Sequence, residues 1–322
     1  TGVGLACASH ATSVRLRSRS VDTKGWDGST AIVEVGDDGR ARVICGEGEI
    51  GQVSKTVLEQ MVAEELGLEF PDVEISPADT EKTPFCLGGY ASRLTMIGGN
   101  AVRVASASCR EQLLALAAEH LEVDPTDLVL EAGFVSMKAA PDRRLSVEKV
   151  VQLRGTGEGK VSAEGTWDPP TVMPDPDTGY GKITAAASVA CVVAVVKVDT
   201  GTGGIELQEV VVADDLGKAI NPLTVEGQIH GEMGQGFGFA MFENPILDGG
   251  RFVNGSLADY TLPKAEVLPD FNSILIESID PHGPYGAKGC SECALNACGA
   301  VVANAVFNAV GVRIRDLPLA PQ

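Results

Sequence analysis

The segment Gly286-Ala287-Lys288-Gly289-Cys290-Ser291-Glu292 brings a carboxylate out of a glycine-rich turn onto the start of an apolar, Ala-rich run. Glycines let a backbone approach something bulky, and a helix start favours negative charge. A carboxylate held this way beside a large cofactor could act as a general base. The same residues also describe an ordinary first-turn Glu, with Ser291 as the N-cap. On this segment alone both readings stand.

Other glycine-rich stretches could, in principle, carry a cofactor. Gly234-Gln235-Gly236-Phe237-Gly238 lacks the dinucleotide-binding spacing and lies inside a helical pattern. In Gly155-Thr156-Gly157-Glu158-Gly159-Lys160 the first Gly stands one residue too close to the Gly-Lys pair for a phosphate-binding P-loop. Cys290, Cys293 and Cys298 run C-x2-C-x4-C, the reverse of the plant-type [2Fe–2S] spacing, with no fourth Cys near. His10, His120, His230 and His282 are scattered and form no metal-ligand spacing. The chain thus shows no FAD, NAD, ATP or Fe–S motif of its own. What is left is a set of amide-rich segments: Gly51-Gln52, Gly88-Gly89-Tyr90-Ala91-Ser92, Gly227-Gln228 and Gly234-Gln235-Gly236. Gln side chains and glycine N–H groups suit a polar, mostly neutral heterocycle. Taken singly, each is ordinary turn chemistry.

These residues need elements to hold them. Thr30–Val35 and Ala41–Cys45 alternate around Asp37-Asp38-Gly39, a hairpin signal. Ser54–Leu66 has helical spacing, with Ser54 as its expected N-cap. Val73–Ser76 reads as a strand, Asn100–His120 as a long helix, and Leu128–Glu131 with Phe134–Lys138 as a second hairpin. Residues 155–181 are rich in Gly, Pro and Asp and read as a connection between a first subdomain, 1–154, and a second, 182–322. The second contains strands Ile183–Val198 and Ile205–Ala213, a helix opened by Asn221-Pro222, a strand Ser273–Glu277 and a closing helix Cys293–Val310 stopped by Gly311. Hairpins and helices without regular βαβ alternation predict an α+β fold.

The 322 residues include 25 Lys plus Arg and 44 Asp plus Glu, a formal net charge of -19. A chain this acidic is a poor ligand for phosphate backbones or an anionic membrane surface, so neither nucleic acid nor membrane is an expected partner. Eight Cys, most in apolar runs, read as small buried hydrophobes of a reducing, cytoplasmic compartment. The longest apolar run, Ala185–Val196, is too short to span a bilayer.

The ordered set Glu49-Ile50-Gly51-Gln52, Tyr90-Ala91-Ser92-Arg93-Leu94-Thr95, Gly217-Lys218-Ala219-Ile220-Asn221-Pro222, Glu226-Gly227-Gln228-Ile229-His230-Gly231 and Gly286 to Glu292 resembles the xanthine oxidase family of molybdenum hydroxylases. The resemblance is to the C-terminal half of the molybdopterin-binding subunit. Tyr90-Ala91-Ser92-Arg93 and Pro281 to Lys288 look most like the branch holding 4-hydroxybenzoyl-CoA reductase and bacterial aromatic hydroxylases. The chain departs from the family pattern at Val53, which follows Gly51-Gln52, and around the Glu, where Ser291 precedes and Cys293-Ala294 follow.

The resemblance implies that Glu292 is the active-site base. It implies cofactor contacts at Gly51, Gln52, Ala91, Ser92, Leu94, Gln228, Lys288 and Gly289, with Gln228 and Glu292 near a molybdenum held by the pterin dithiolene rather than by protein ligands. It implies a molybdopterin cofactor in the cytosine dinucleotide form. Partner chains are expected to supply the N-terminal half of the subunit, [2Fe–2S] clusters and FAD. The implied reaction hydroxylates an electron-poor carbon of a small heteroaromatic or related molecule with oxygen from water. An aryl-CoA reductase of the same family, a non-catalytic assembly subunit, and an unrelated α+β enzyme in which Glu292 only caps a helix are the alternatives.

Overall fold

The computed structural model describes residues 1–14, 27–155 and 159–320. The chain forms two compact units, each discontinuous in sequence. A central unit comprises Ser13–Ala186 with Asp280–Ala287, and a terminal unit comprises Thr1–Thr12, Ala187–Ile279 and Lys288–Gln322. Both combine sheets with packed helices, the α+β class that the hairpins and helices predict.

In the central unit, Ser29–Gly36 and Ala41–Cys45 pair as an antiparallel hairpin. Their alternating residues Ala31, Val33, Val35, Ala41, Val43 and Cys45 all point into the core. Lys160–Trp167 pairs antiparallel with the other side of Ser29–Gly36, and Val73–Ile75 pairs parallel with Ala41–Cys45. The strand Lys160–Trp167 lies within the stretch expected to be an irregular connection. Gly165, one of the glycines of that stretch, serves close packing. A Cβ there would stand 2.3 Å from the Ala105 nitrogen and 2.4 Å from the Ala101 oxygen, so only glycine lets the helix Gly99–Leu121 lie on the strand. That helix and Ser54–Leu66 bury Val102, Ala105, Cys109 and Leu113, and Leu58, Met61 and Leu66, against the sheet. Each Val, Leu or Met side chain among these contributes about 1.5–3 kcal/mol when fully buried. A separate meander, Leu128–Glu131, Phe134–Met137 and Ala140–Ser146, completes this part.

The terminal unit is built on a four-stranded sheet in the order Gly2–Thr12, Ala186–Val198, Ile205–Asp215, Phe271–Ile276. The middle pair is antiparallel and the last pair parallel. Helices Pro222–Met241 and Cys298–Val310 cover one face, where Val192, Ala194, Val210 and Val212 pack with Ile229, Met233, Phe237, Val301 and Ala305. Gly2 and Gly4 bring the first strand against the last helix: a Cβ on either would come within 2.1 Å of a helix carbonyl. The other face is also largely apolar, with Val3, Leu5, Val189, Ile274 and Ile276 exposed.

Because the first strand joins a sheet formed by residues beyond 186, the units interleave, unlike the linear subdomains 1–154 and 182–322 of the sequence reading. Several element boundaries also differ from the expected ones, two of them near the site. Ile205–Asp215 runs past Ala213 to include two acidic residues, and the closing helix is preceded by a separate 3-10 turn, Ala294–Ala297. Among the described residues, no helix is long and apolar enough to cross a membrane.

Candidate active site

The terminal unit carries Glu292, Gln228, Lys288 and Gly289. Asn221 opens the helix Pro222–Met241 by accepting a hydrogen bond from the Thr224 N–H at 3.3 Å. Gln228 and Glu232 stand four residues apart on this helix and so share a face. Glu232 is 3% exposed. Its Oε2 accepts the N–H groups of Ala294 at 3.1 Å and Leu295 at 3.3 Å. The acceptor at the start of the last helical segment is therefore Glu232, not Ser291, the N-cap of the alternative reading of this segment. Ser291 has a left-handed backbone, φ 72°, which turns the chain into Glu292. The Asn296 side chain donates to the Glu292 carbonyl at 2.8 Å, fixing the residue from the other side.

The Glu292 carboxylate itself is partly open, 41% exposed, with Oε2 3.4 Å from Nε2 of His10 on the first strand. A protonated imidazole at that distance forms an ion pair with it. Lys288 is buried: its ammonium lies 2.9 Å from Asp215 and donates to Ser278 at 3.1 Å, while its N–H donates to the Leu216 carbonyl. The Gly289 carbonyl accepts the Ser188 hydroxyl. Lys288 and Gly289 thus anchor the backbone that leads into Glu292.

Four acids with different surroundings meet in this unit. Burial pushes the Asp215 carboxyl up, but the Ser278 hydroxyl and Lys288 ammonium outweigh it and leave the group below its ordinary range. Asp214, next along the strand, points into the core, and neither of its carboxyl oxygens has a hydrogen-bond partner. Burial and the charge of Asp215 push it up to about 7. Burial and the charge of Asp214 push Glu232 up to about 8. Burial likewise pushes the thiols of Cys290, Cys293 and Cys298 up to about 12, which keeps them protonated and unreactive. Cys293 and Cys298 pack in the apolar core, and a Cβ at Gly236 would stand 2.5 Å from the Cys298 sulfur. The Gly234–Gly238 run is therefore a helix-packing surface. His230 is exposed on the same helix, its ring 5.7 Å from that of Phe271.

The central unit carries Gly51, Gln52, Ala91, Ser92 and Leu94. The loop before the helix Ser54–Leu66 is organised by Glu49. Its carboxylate accepts the N–H groups of Gly51, Val53 and Lys55 at 2.9, 2.9 and 3.2 Å. Partial burial raises this carboxyl, but those bonds and one from Ser54 outweigh it and leave it lowered. Ser54, expected as the N-cap, is instead the first helical residue, after a left-handed Val53 with φ 63°. Gln52 folds back: its Nε2 donates to the Gly48 carbonyl at 2.7 Å and to Ser54 at 3.0 Å, and its Oε1 accepts the Ile50 N–H at 2.7 Å. The side chain shapes its own loop.

Ala91 and Ser92 are both left-handed, φ 48° and 49°, and Gly88 has φ 100°. This strained segment is held by Arg93, which is fully buried. Its guanidinium donates to the carbonyls of Asp27 at 2.7 Å, Gly28 at 3.3 Å and Gly88 at 3.3 Å, lies 3.9 Å from the Asp27 carboxylate and stacks over Tyr90. Leu94 is buried at the start of a π-helical turn, Leu94–Gly98, and packs beside Gly89.

Sequence reasoning missed Glu232, Asp214, His10 and Arg93 as working residues. Glu232 left a readable trace, an acid four residues after Gln228 inside an otherwise apolar helical stretch. Arg93 stands in sequence at the end of Tyr90-Ala91-Ser92-Arg93, which does not show its partners. Nothing in sequence ties His10 to Glu292.

A molybdopterin cofactor-binding domain model matches residues 1–269. The 6-hydroxypseudooxynicotine dehydrogenase complex subunit gamma of Paenarthrobacter nicotinovorans is 34% identical over 297 residues, 91% of this chain and 36% of that protein. A putative xanthine dehydrogenase molybdenum-binding subunit of Escherichia coli is 33% identical over 331 aligned residues, 100% of this chain and 41% of that protein. The chain thus spans between 36% and 41% of the length of these relatives. Among solved structures, quinoline 2-oxidoreductase from Pseudomonas putida 86 superposes with a TM-score of 0.84 at 28% identity, covering 99% of this chain and 41% of that one. A Cu,Mo-CO dehydrogenase superposes at 0.85 with 26% identity, covering 99% and 40%. Sequence match, superposition and the ordered Gly-Gln, Tyr-Ala-Ser-Arg and Gly-to-Glu segments converge, and the chain belongs to the molybdopterin cofactor-binding domain family, as part of a molybdenum-binding subunit of the xanthine oxidase type.

Proposed function

We propose that this chain is part of the molybdopterin-binding subunit of a multi-subunit, molybdenum-dependent oxidoreductase. On this reading the complex hydroxylates an electron-poor carbon of a heteroaromatic or related small molecule with oxygen from water. The observation that carries the proposal is Glu292: a partly open carboxylate on a segment held by Glu232 and Asn296 and faced by His10. A relative named as one subunit of a dehydrogenase complex supports the multi-subunit form.

The residues present fit the cofactor. At Gly51 and Gly88 the backbone is left-handed and no atom stands within 4 Å of where a Cβ would be. Ala91 and Ser92 continue the same conformation. The open space at both glycines leaves room for a bulky group to approach the backbone. Gly51, Gln52, Ala91, Ser92 and Leu94 are the central unit's candidates for holding the pterin and phosphate portions, and Gln228, Lys288 and Gly289 are the terminal unit's own candidates for cofactor contact. The cofactor, in its cytosine dinucleotide form, supplies the two-electron oxidising capacity when bound. [2Fe–2S] clusters, FAD and the N-terminal half of the subunit reside on partner chains, and the complex works in the cytoplasm.

Glu292 takes the proton from the attacking oxygen. It must be ionised to do so, and a positioned base of this kind contributes about 10²–10⁴-fold to rate. In the purified complex, Glu292→Gln is expected to lower kcat by that factor while molybdenum and pterin content stay at the wild-type level. Substantial residual turnover at full metal content would remove Glu292 from the role of base.

A further inference from the structure

Glu232 is buried, yet only one of its two oxygens is used. Oε2 accepts two backbone N–H groups, and Oε1 has no hydrogen-bond partner. Asp214 is 0% exposed with both oxygens unpartnered. A bare buried carboxylate is costly, and the ordinary remedy is a proton. A neutral carboxyl keeps one oxygen as a strong acceptor and turns the other into a donor. The two accepted N–H groups belong to Ala294 and Leu295, the second and third residues after Glu292.

We propose that Glu232 is the positioning residue of the Glu292 segment, a buried carboxyl whose Oε2 clamps the Ala294 and Leu295 N–H groups. This inference rests on the proposed function for the role of Glu292, but not for the clamp. The clamp has a direct geometric effect. Ser291 is left-handed, so the direction in which Glu292 leaves the turn depends on where the following helical segment starts, and Glu232 fixes that start. A third negative charge here would oppose Glu292, which stands close enough to act on Glu232 electrostatically.

The groups facing Glu232 are Asp214 from the sheet, Glu292 from its own segment, and the Cys290, Cys293 and Cys298 thiols. Asp215 and Lys288 act on it through Asp214, the first raising and the second lowering it. Rising pH therefore places negative charge on the pair. The clamp then works against repulsion from within.

The test is amide hydrogen exchange at Ala294 and Leu295 in the purified protein, corrected for intrinsic rates, alongside kcat and KM in the assembled complex. Glu232→Gln keeps an acceptor without a titratable proton. It is expected to retain protection of both amides and kcat within about 3-fold, and to remove the change in protection seen in the wild type between pH 6 and 9. Glu232→Ala is expected to lower protection by about 10-fold or more and to lower kcat with little change in KM. Should Glu232→Ala not fold, the comparison of wild type with Glu232→Gln across pH decides. Protection that ignores both substitutions, or a Glu232→Gln protein as loose as Glu232→Ala, overturns the inference. An active Glu292→Gln complex together with the expected exchange pattern would instead leave the clamp standing and remove the assigned base.

Discussion

The residues that do the work here are mostly held by partners far away in sequence. Arg93 shows this most clearly. Its guanidinium ties carbonyls of Asp27, Gly28 and Gly88 together and keeps two consecutive left-handed residues, Ala91 and Ser92, in place. Removing one member of a buried charged set leaves the other uncompensated and costs about 3–5 kcal/mol. Arg93→Met is therefore expected to lower unfolding free energy by roughly that amount in urea titration. It should also reduce cofactor content of the assembled complex, whereas a surface change such as Arg144→Met should do neither. The sequence carried the motif around Arg93 but not its partners. Glu292 was readable because glycines and a following apolar run surround it. His10 was not, because the strand register that brings it to 3.4 Å is a property of the folded sheet. Gln52 was readable by type, while its bonds to Gly48, Ile50 and Ser54 depend on a turn that only the backbone reveals.

At the scale of elements, periodicity carried most of the fold. The helix Ser54–Leu66 runs as its apolar spacing predicts, and Gly99–Leu121 extends only slightly past the expected limits. Glycine was the main source of error. Gly165 lies in the Gly- and Pro-rich stretch that reads as a connection, yet it is a contact point between a strand and a helix. Gly236 plays the same part between two helices. The sheet of the terminal unit has a second property that alternation does not foretell. A one-sided antiparallel sheet normally alternates apolar-in with polar-out. Here the outward residues include Val3, Leu5, Val189, Ile274 and Ile276. Contiguous apolar surface of this kind promotes association. The isolated chain is expected to bind a hydrophobic fluorescent dye strongly. Leu5→Asp combined with Ile274→Asp should reduce that signal at least about 2-fold without lowering the thermal midpoint, since neither side chain belongs to the core. Unchanged dye binding in the double variant would place the sticky surface elsewhere.

For the molecule as a whole, charge and burial set a shared pH dependence. Unfolded carboxyls titrate near about 4. In the native state burial raises Asp214 to about 7 and Glu232 to about 8. Between those limits the folded chain binds more protons than the unfolded one, so this part of its stability is full at low pH and lost as pH rises through the folded values. Asp215, Glu49 and Glu277 are lowered and act in the opposite sense, losing their contribution as pH falls toward acid. The net charge of -19 adds self-repulsion at high pH, but salt screens that term and not a buried pair. In high salt, the thermal midpoint is therefore expected to fall between about pH 5 and pH 8, and Asp214→Asn with Glu232→Gln should flatten the slope. The interleaving of the two units has a further consequence, in time rather than energy. The central unit owns nearly all of one continuous stretch, Ser13–Ala186, and closes its sheet from strands within that stretch. Gly2–Thr12 takes its place beside Ala186–Val198, which is made only afterwards. Pairing across so long a separation is slow relative to local contacts. During synthesis this strand, with its exposed valine and leucine, leaves the ribosome before any of the central unit and must stay unpaired until that unit has been made.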